Sequence, residues 1–142
     1  MLLRKKKKSK KRRNQPAHYD AYKEHAREII HGRLVHFNNH YNMVYKRVAI
    51  RNQKTCWGSC SEYGNLNFNY KIIFLPQDLM DYVIVHELCH ITHLNHSSAF
   101  WQLVEETVPN HKEQRAHLRK MTHVPAQGFP SSIVQALGIH VH

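Results

Sequence analysis

A pentapeptide with two histidines and a glutamate is the part of this sequence best suited to chemistry. It reads HELCH, with His86 and His90 four residues apart and Glu87 directly after the first. On a helix, residues four apart lie on one face about one turn from each other, so both imidazoles can aim at one point. The surrounding positions are apolar, where each unpartnered polar side chain costs on the order of a few kcal/mol. The sequence therefore predicts that a metal ion binds His86 and His90.

A third histidine, His96, follows six residues after His90. It can reach the same ion only if the helix ends between them, and Asn95, which tolerates the left-handed conformation, is a candidate for that turn. His93 competes for the role, but on a continued helix it lies about 10 Å along the axis from His86, too far for bonds near 2.1 Å. The predicted ligands are His86, His90 and His96, with His93 or a more distant group as the alternative.

This ligand set predicts catalysis. Three neutral imidazoles leave a Zn²⁺ ion its full charge and one open coordination position, which is typical of catalytic sites. Zinc acidifies water to a pKa of about 7. Glu87 lies about 100° around the helix from His86 and can take that proton and pass it to a leaving amine. A purely structural zinc site would leave Glu87 without a task. We therefore expect a zinc-dependent peptidase with Glu87 as the general base.

Hydrophobic periodicity predicts the elements that position these residues. Apolar side chains at three- and four-residue steps predict helices, and alternation around Val48 and through Leu66–Tyr70 predicts strands. The predicted helices are residues 16–44, 76–91, 98–108 and 111–121. The expected fold is α+β: a small antiparallel or mixed sheet packs against the HELCH helix, with a long N-terminal helix and C-terminal helices.

The amino-terminal segment carries most of the formal net charge of +11, because nine of the 21 Lys and Arg residues lie between Arg4 and Arg13. Such a run repels itself and is expected to be disordered. It can attract nucleic acid without sequence preference. The bases concerned are Lys5, Lys6, Lys7, Lys8, Lys10, Lys11, Arg12 and Arg13. The predicted organisation is a basic tail over residues 1–14, a catalytic domain over 15–122 and a C-terminal tail over 123–142.

Length and composition exclude several classes of protein. A chain of 142 residues provides one domain, and no apolar run is long enough to cross a membrane. No apolar segment typical of a secretion signal follows the basic start. Three cysteines are too few for a disulfide framework. We therefore expect a cytoplasmic protein without a membrane partner, whose oligomeric state the sequence does not specify.

Three separated motifs, in order, resemble the YgjP-like metallopeptidase domain, a small cytoplasmic zincin related to SprT-like and WLM proteins. They are CWGSC at 56–60, GNLNFNYKIIFLPQDLMDYVIVHELCH at 64–90 and NHSSAFW at 95–101. The resemblance runs from about Arg47 to Trp101. It implies one Zn²⁺ bound by His86, His90 and His96, a catalytic Glu87, a protein or peptide substrate and a minimal zincin fold.

Substrate binding is the next expectation. In zincins an edge strand beside the active-site helix holds the substrate backbone, and Leu66–Tyr70 is the candidate strand here, with an ordinary half-buried strand as the alternative. Its expected substrate-binding residues are Leu66, Asn67, Phe68 and Asn69. For the oxyanion, Tyr63, Tyr70 and His111 are all chemically able, and spacing selects none of them.

Two other functions stay open from sequence. One is a nucleic-acid-associated protein recruited by the basic tail, either a SprT-like protease or an inactive scaffold. The other is a zinc hydrolase of a non-peptide bond such as a nucleotide pyrophosphate, since zinc chemistry is not restricted to amides. The sequence contains no glycine-rich phosphate loop to support the second.

Overall fold

The computed structural model describes residues 17–53 and 55–121. Within them the helices are α1 (Ala17–Tyr41), α2 (Gln77–Cys89), α3 (Ser98–Glu105) and α4 (His111–Lys120), and the strands are β1 (Arg47–Arg51), β2 (Gly58–Cys60) and β3 (Asn65–Asn69). A short 3₁₀ helix, Tyr70–Phe74, joins β3 to the segment before α2. The predicted α+β class is confirmed.

The predicted tails lie outside the described residues. These include the basic positions Lys5, Lys6, Lys7, Lys8, Lys10, Lys11, Arg12 and Arg13, so nucleic-acid binding stays a prediction from sequence. Among the residues that the structure does describe, none of the helices has the length and apolar character needed to cross a membrane.

The sheet is mixed, in the order β1-β3-β2. Strand β3 pairs in parallel with β1 and antiparallel with β2, so that Leu66 lies opposite Val48 on one side and Cys60 on the other. The prediction that Leu66, Asn67, Phe68 and Asn69 form an edge strand is therefore wrong, since both sides of β3 are already hydrogen bonded. Their alternation comes from burial of Leu66 and Phe68 in the core. An open edge is instead presented by β2.

Helices α1 and α2 pack against each other in the core, which fixes the position of α2. Helix α1 buries a stripe at helical spacing, and α2 is buried on almost every side, because both pack into one hydrophobic cluster. A two-pronged ion pair joins them: the Arg33 guanidinium donates from Nε and Nη2 to the two carboxylate oxygens of Asp81, at 2.9 Å each. The buried stripe of α1 is Ala26, Ile30, Leu34 and Phe37.

Helix α1 ends at Tyr41, three residues before the end of its apolar pattern. Asn42 adopts a left-handed backbone with φ of 52°, and its N–H donates to the Asn38 carbonyl at 2.8 Å. The Asn38 side chain then accepts from the Met43 N–H and donates to the Met43 carbonyl. These bonds satisfy the helix end and send the chain into β1.

Candidate metal centre

The three predicted histidine ligands come together at the end of α2. The Nε2 atom of His86 lies 3.1 Å from that of His90 and 3.1 Å from that of His96, and the His90 and His96 atoms are 3.2 Å apart. Within the described part of the chain, this trio is the one group of three or more His, Cys, Asp or Glu residues arranged to hold a metal ion. The side chain of the competing His93 does not belong to it.

The chain returns to the site through a tightened helix end. Helix α2 stops at Cys89, and the N–H groups of Thr92 and His93 both donate to the Cys89 carbonyl, at 3.2 and 3.1 Å. The expected left-handed turn at Asn95 is wrong, because the described non-glycine residues have positive φ only at Asn42. The helix thus ends between His90 and His96, as binding by both requires.

The geometry and chemistry of the trio fit a metal ion. The Nδ1–H of His90 donates to the His93 carbonyl at 2.8 Å, so its Nε2 carries a lone pair that faces the other two histidines. Burial, together with His90 and His96, lowers the pKa of His86 to about 3 and keeps it neutral. Nitrogen atoms at these separations suit one ion with bonds of about 2.0–2.1 Å. Without a cation the converging lone pairs would repel one another.

Aromatic side chains at the start of α3 hold the ligand rings. Ser97 caps this helix by accepting from the Phe100 N–H at 3.3 Å. Phe100 then stacks on His90, with ring centres 4.4 Å apart and planes 18° from parallel, and Trp101 stacks on His96 at 5.7 Å and 22°. Because His96 lies just before α3, the same helix that follows the third ligand orients two of the three imidazoles.

We expect Phe100→Ala to lower the free energy of unfolding by about 3–5 kcal/mol, since Phe100 is fully buried. Phe100→Leu separates burial from stacking: it should cost less than about 1.5 kcal/mol and still weaken metal binding about 10-fold, because no flat ring faces His90. Urea unfolding and competition with a chelator measure the two effects. Equal losses of stability in both variants would contradict this assignment.

Glu87 lies beside the trio and is buried, with 7% of its surface exposed. Its Oε1 is 3.9 Å from the Nε2 of His86, outside direct contact with that ligand atom. Burial raises the pKa of Glu87 to about 8 in the absence of a metal ion. The carboxyl group is therefore close to the metal centre without belonging to the ligand set.

Gly58, in the CWGSC motif, provides the space for Glu87. A Cβ atom at Gly58 would lie 2.9 Å from the Glu87 Cγ, closer than Cβ atoms approach other groups, and a tight 3.1 Å from the Asn67 carbonyl oxygen. Sequence analysis did not single out this residue as functional. The available signal was a glycine inside a strand, which marks close approach of a neighbouring group.

Strand β2 is at the edge of the sheet and packs against α2. On its inner edge, the Trp57 carbonyl accepts from the Asn69 N–H and the Ser61 N–H donates to the Asn65 carbonyl. Backbone groups alternate along a strand, so those of Gly58 and Cys60 point to the outer edge, where the described residues supply no further strand. This strand replaces β3 as the candidate for holding an extended peptide.

The three residues considered as oxyanion stabilisers have different surroundings in the structure. Tyr70 is buried, and its hydroxyl is hydrogen bonded to His18 Nδ1 at 2.8 Å. Tyr63 is exposed. His111 stacks on Trp101 with ring centres 5.1 Å apart, and Trp101 in turn stacks on the metal ligand His96. Of the three candidates, His111 is therefore the one connected to the metal centre by these ring contacts.

Comparison with known proteins agrees with this site. Residues 2–121 match the family described as YgjP-like, metallopeptidase domain. The fold is similar to the crystal structure of the metallopeptidase zymogen of Pyrococcus abyssi abylysin, with 26% identity and a TM-score of 0.58 over 65% of this chain and 93% of that one. It is also similar to the metallopeptidase zymogen of Methanocaldococcus jannaschii jannalysin, with 22% identity and a TM-score of 0.53 over 68% and 95%.

The second likeness supports the fold alone, and a comparison with curated proteins gives no match. The family match covers most of the chain, including the three histidines and Glu87. Membership implies a metal ion, for which the histidine trio provides suitable ligands. The chain belongs to the YgjP-like metallopeptidase domain family and is a peptidase.

Proposed function

We propose that this metallopeptidase depends on one Zn²⁺ ion held by His86, His90 and His96, and that Glu87 is its general base. The observation that carries the proposal is the convergence of three histidine Nε2 atoms within 3.1–3.2 Å, with a buried carboxyl group beside them. Three imidazoles leave one coordination position open, which a closed structural site would fill.

The protein's own groups divide the work of peptide hydrolysis. Bound zinc would polarise the scissile carbonyl and acidify water. Glu87 accepts a proton from the attacking water on its carboxylate and then passes that proton to the leaving amine. The position of Glu87 beside His86, and its low exposure, keep this proton transfer away from bulk solvent.

An extended peptide substrate pairs with the outer edge of β2 in this proposal. Gly58 and Cys60 each offer one N–H and one carbonyl there, so a peptide could add a fourth strand to the sheet. Gly58 has no side chain, and Glu87 occupies the space where its Cβ would lie. A peptide paired with Gly58 would therefore have its backbone close to the general base. Main-chain pairing of this kind accepts many sequences.

Metal analysis with matched histidine variants tests the ligand assignment. We expect close to one zinc per chain in the wild type and in His93→Ala, because the His93 side chain is outside the trio and only its carbonyl contacts His90. His96→Ala should retain much less, since it removes one of three ligands. Zinc retained by His96→Ala and lost from His93→Ala would overturn the assignment.

A further inference from the structure

A cleft of about 350 Å³ lies between α3 and α4. This volume is within the roughly 300–1,000 Å³ range of small-ligand sites. Its lining includes Trp101 and Glu105 from α3, and His111, Lys112 and Arg115 from α4. None of these residues is a metal ligand or the proposed general base, so the cleft is separate from the trio of His86, His90 and His96.

Trp101 forms the wall between this cleft and the metal centre. Its ring stacks on His96 at 5.7 Å and also contacts His86, with ring centres 5.8 Å apart. It stacks on His111 of α4, at 5.1 Å and 17° from parallel. One indole thus contacts two metal ligands as well as lining the cleft, which places the cleft within reach of a substrate bound at the metal.

The cleft carries an excess of positive charge close to Trp101. The guanidinium carbon of Arg115 lies 5.2 Å from the centre of the indole ring, a cation–π contact that fixes the direction of the side chain. Lys112 adds a second cation, against the single carboxylate of Glu105. Within residues 17–53 and 55–121, neither Arg115 nor Lys112 has a carboxylate oxygen within 4.0 Å. The donors of Arg115 are therefore available to an anionic ligand.

We propose that this cleft binds a carboxylate of the substrate, with Arg115 as the main specificity-determining residue. The inference rests on the proposed peptidase function and extends it to a substrate class: peptides with an acidic group near the scissile bond. Arginine suits this role because its planar fork donates two parallel hydrogen bonds to one carboxylate. The group could be an Asp or Glu side chain or a free C-terminal carboxylate.

Matched peptides test the preference. One series places a single Glu at successive positions, with Gln at the same positions as the neutral partner, and a second pair ends in a free acid or an amide. We expect the best acidic peptide to exceed its partner in kcat/KM by about 5-fold, the upper end of what an ion pair to an exposed arginine gives. If the Glu peptides show this preference, the bound carboxylate is a side chain. If the free-acid peptide shows it, the bound carboxylate is the C-terminus.

Variants of α4 test whether Arg115 causes the difference in kcat/KM between acidic and neutral peptides. Arg115→Gln should bring the acidic-to-neutral ratio within about twofold of one, and Arg115→Glu should favour peptides with Lys at that position. Arg119→Gln, which removes the same charge one turn later and outside the cleft lining, should keep the wild-type ratio. An equal ratio in wild type and Arg115→Gln would overturn the proposal.

A binding measurement separates this inference from the proposed function. Labelled Glu and Gln peptides are titrated with zinc-loaded Glu87→Gln protein, with and without Arg115→Gln, and fluorescence anisotropy is recorded. Tighter binding of the acidic peptide that depends on Arg115 supports the cleft even if no peptide is cleaved by the wild type. Cleavage of neutral and acidic peptides alike, with equal binding, would sustain the peptidase and reject the cleft.

Discussion

Replacing Glu87 by glutamine is expected to lower the rate of casein cleavage by roughly 10²–10⁴-fold, the contribution of a positioned general acid–base group. Glutamine has nearly the same shape but cannot accept the proton from water. The metal content should stay at the wild-type value, because the Glu87 carboxylate lies 3.9 Å from the nearest ligand nitrogen and is outside the trio. Elemental analysis and cleavage assays on the same preparation measure both quantities.

The matched control is Glu113→Gln, which makes the same chemical change at an exposed position of α4. It should leave the cleavage rate and the metal content unchanged. A Glu87→Gln protein that keeps its zinc and cleaves at the wild-type rate would remove Glu87 from the mechanism. Zinc without cleavage in the wild type would instead favour the scaffold function that the sequence left open.

Gly58→Ala is expected to lower kcat by about 100-fold, comparable with misplacing a catalytic group by about 1 Å. The new methyl group would lie 2.9 Å from the Glu87 Cγ and 3.1 Å from the Asn67 carbonyl oxygen, which belongs to the backbone of β3 and yields less easily than a side chain. Glu87 must therefore move. Zinc content should be unchanged, since the atoms nearest the new methyl group belong to Glu87 and Asn67 and not to a histidine ligand. Steady-state kinetics with a neutral peptide separates kcat from KM.

Gly32→Ala is the control for this substitution. Gly32 lies within α1, and a Cβ there meets nothing within 4 Å. Alanine at that position should leave kcat unchanged and raise the free energy of unfolding by about 0.5–1 kcal/mol, because glycine costs that much in a helix. If Gly58→Ala instead raises KM with kcat unchanged, the residue serves peptide pairing along β2 rather than the position of Glu87.

The metal centre was predictable because it is built from local spacing. The four-residue step from His86 to His90 needs only a helix, and the apolar run around it predicts one correctly. His96 could be chosen over His93 because a helical rise of 1.5 Å per residue excludes the latter. The structure shows the same three residues together, although the turn between them uses helix-end hydrogen bonds in place of a left-handed Asn95.

Strand order in the sheet was not predictable in the same way. Alternation in Leu66–Tyr70 tells which side chains face the core, but it carries no information on which strands lie on either side. The edge strand Gly58–Cys60 has only three residues, all of them partly buried, so it shows no alternation. The role of Gly58 likewise depends on a contact with Glu87, 29 residues away, that local patterns do not encode.

The return of the chain from α2 to His96 also bears on the order of folding. His86 and His96 are ten positions apart, and closing this loop costs about 0.5 kcal/mol less chain entropy than the parallel pairing of β1 with β3, which joins residues 18 positions apart. Ion binding contributes directly to folding free energy when the ligands are brought together by folding. A bound ion would therefore tie α2 to the start of α3, and its removal by a chelator is expected to lower the free energy of unfolding.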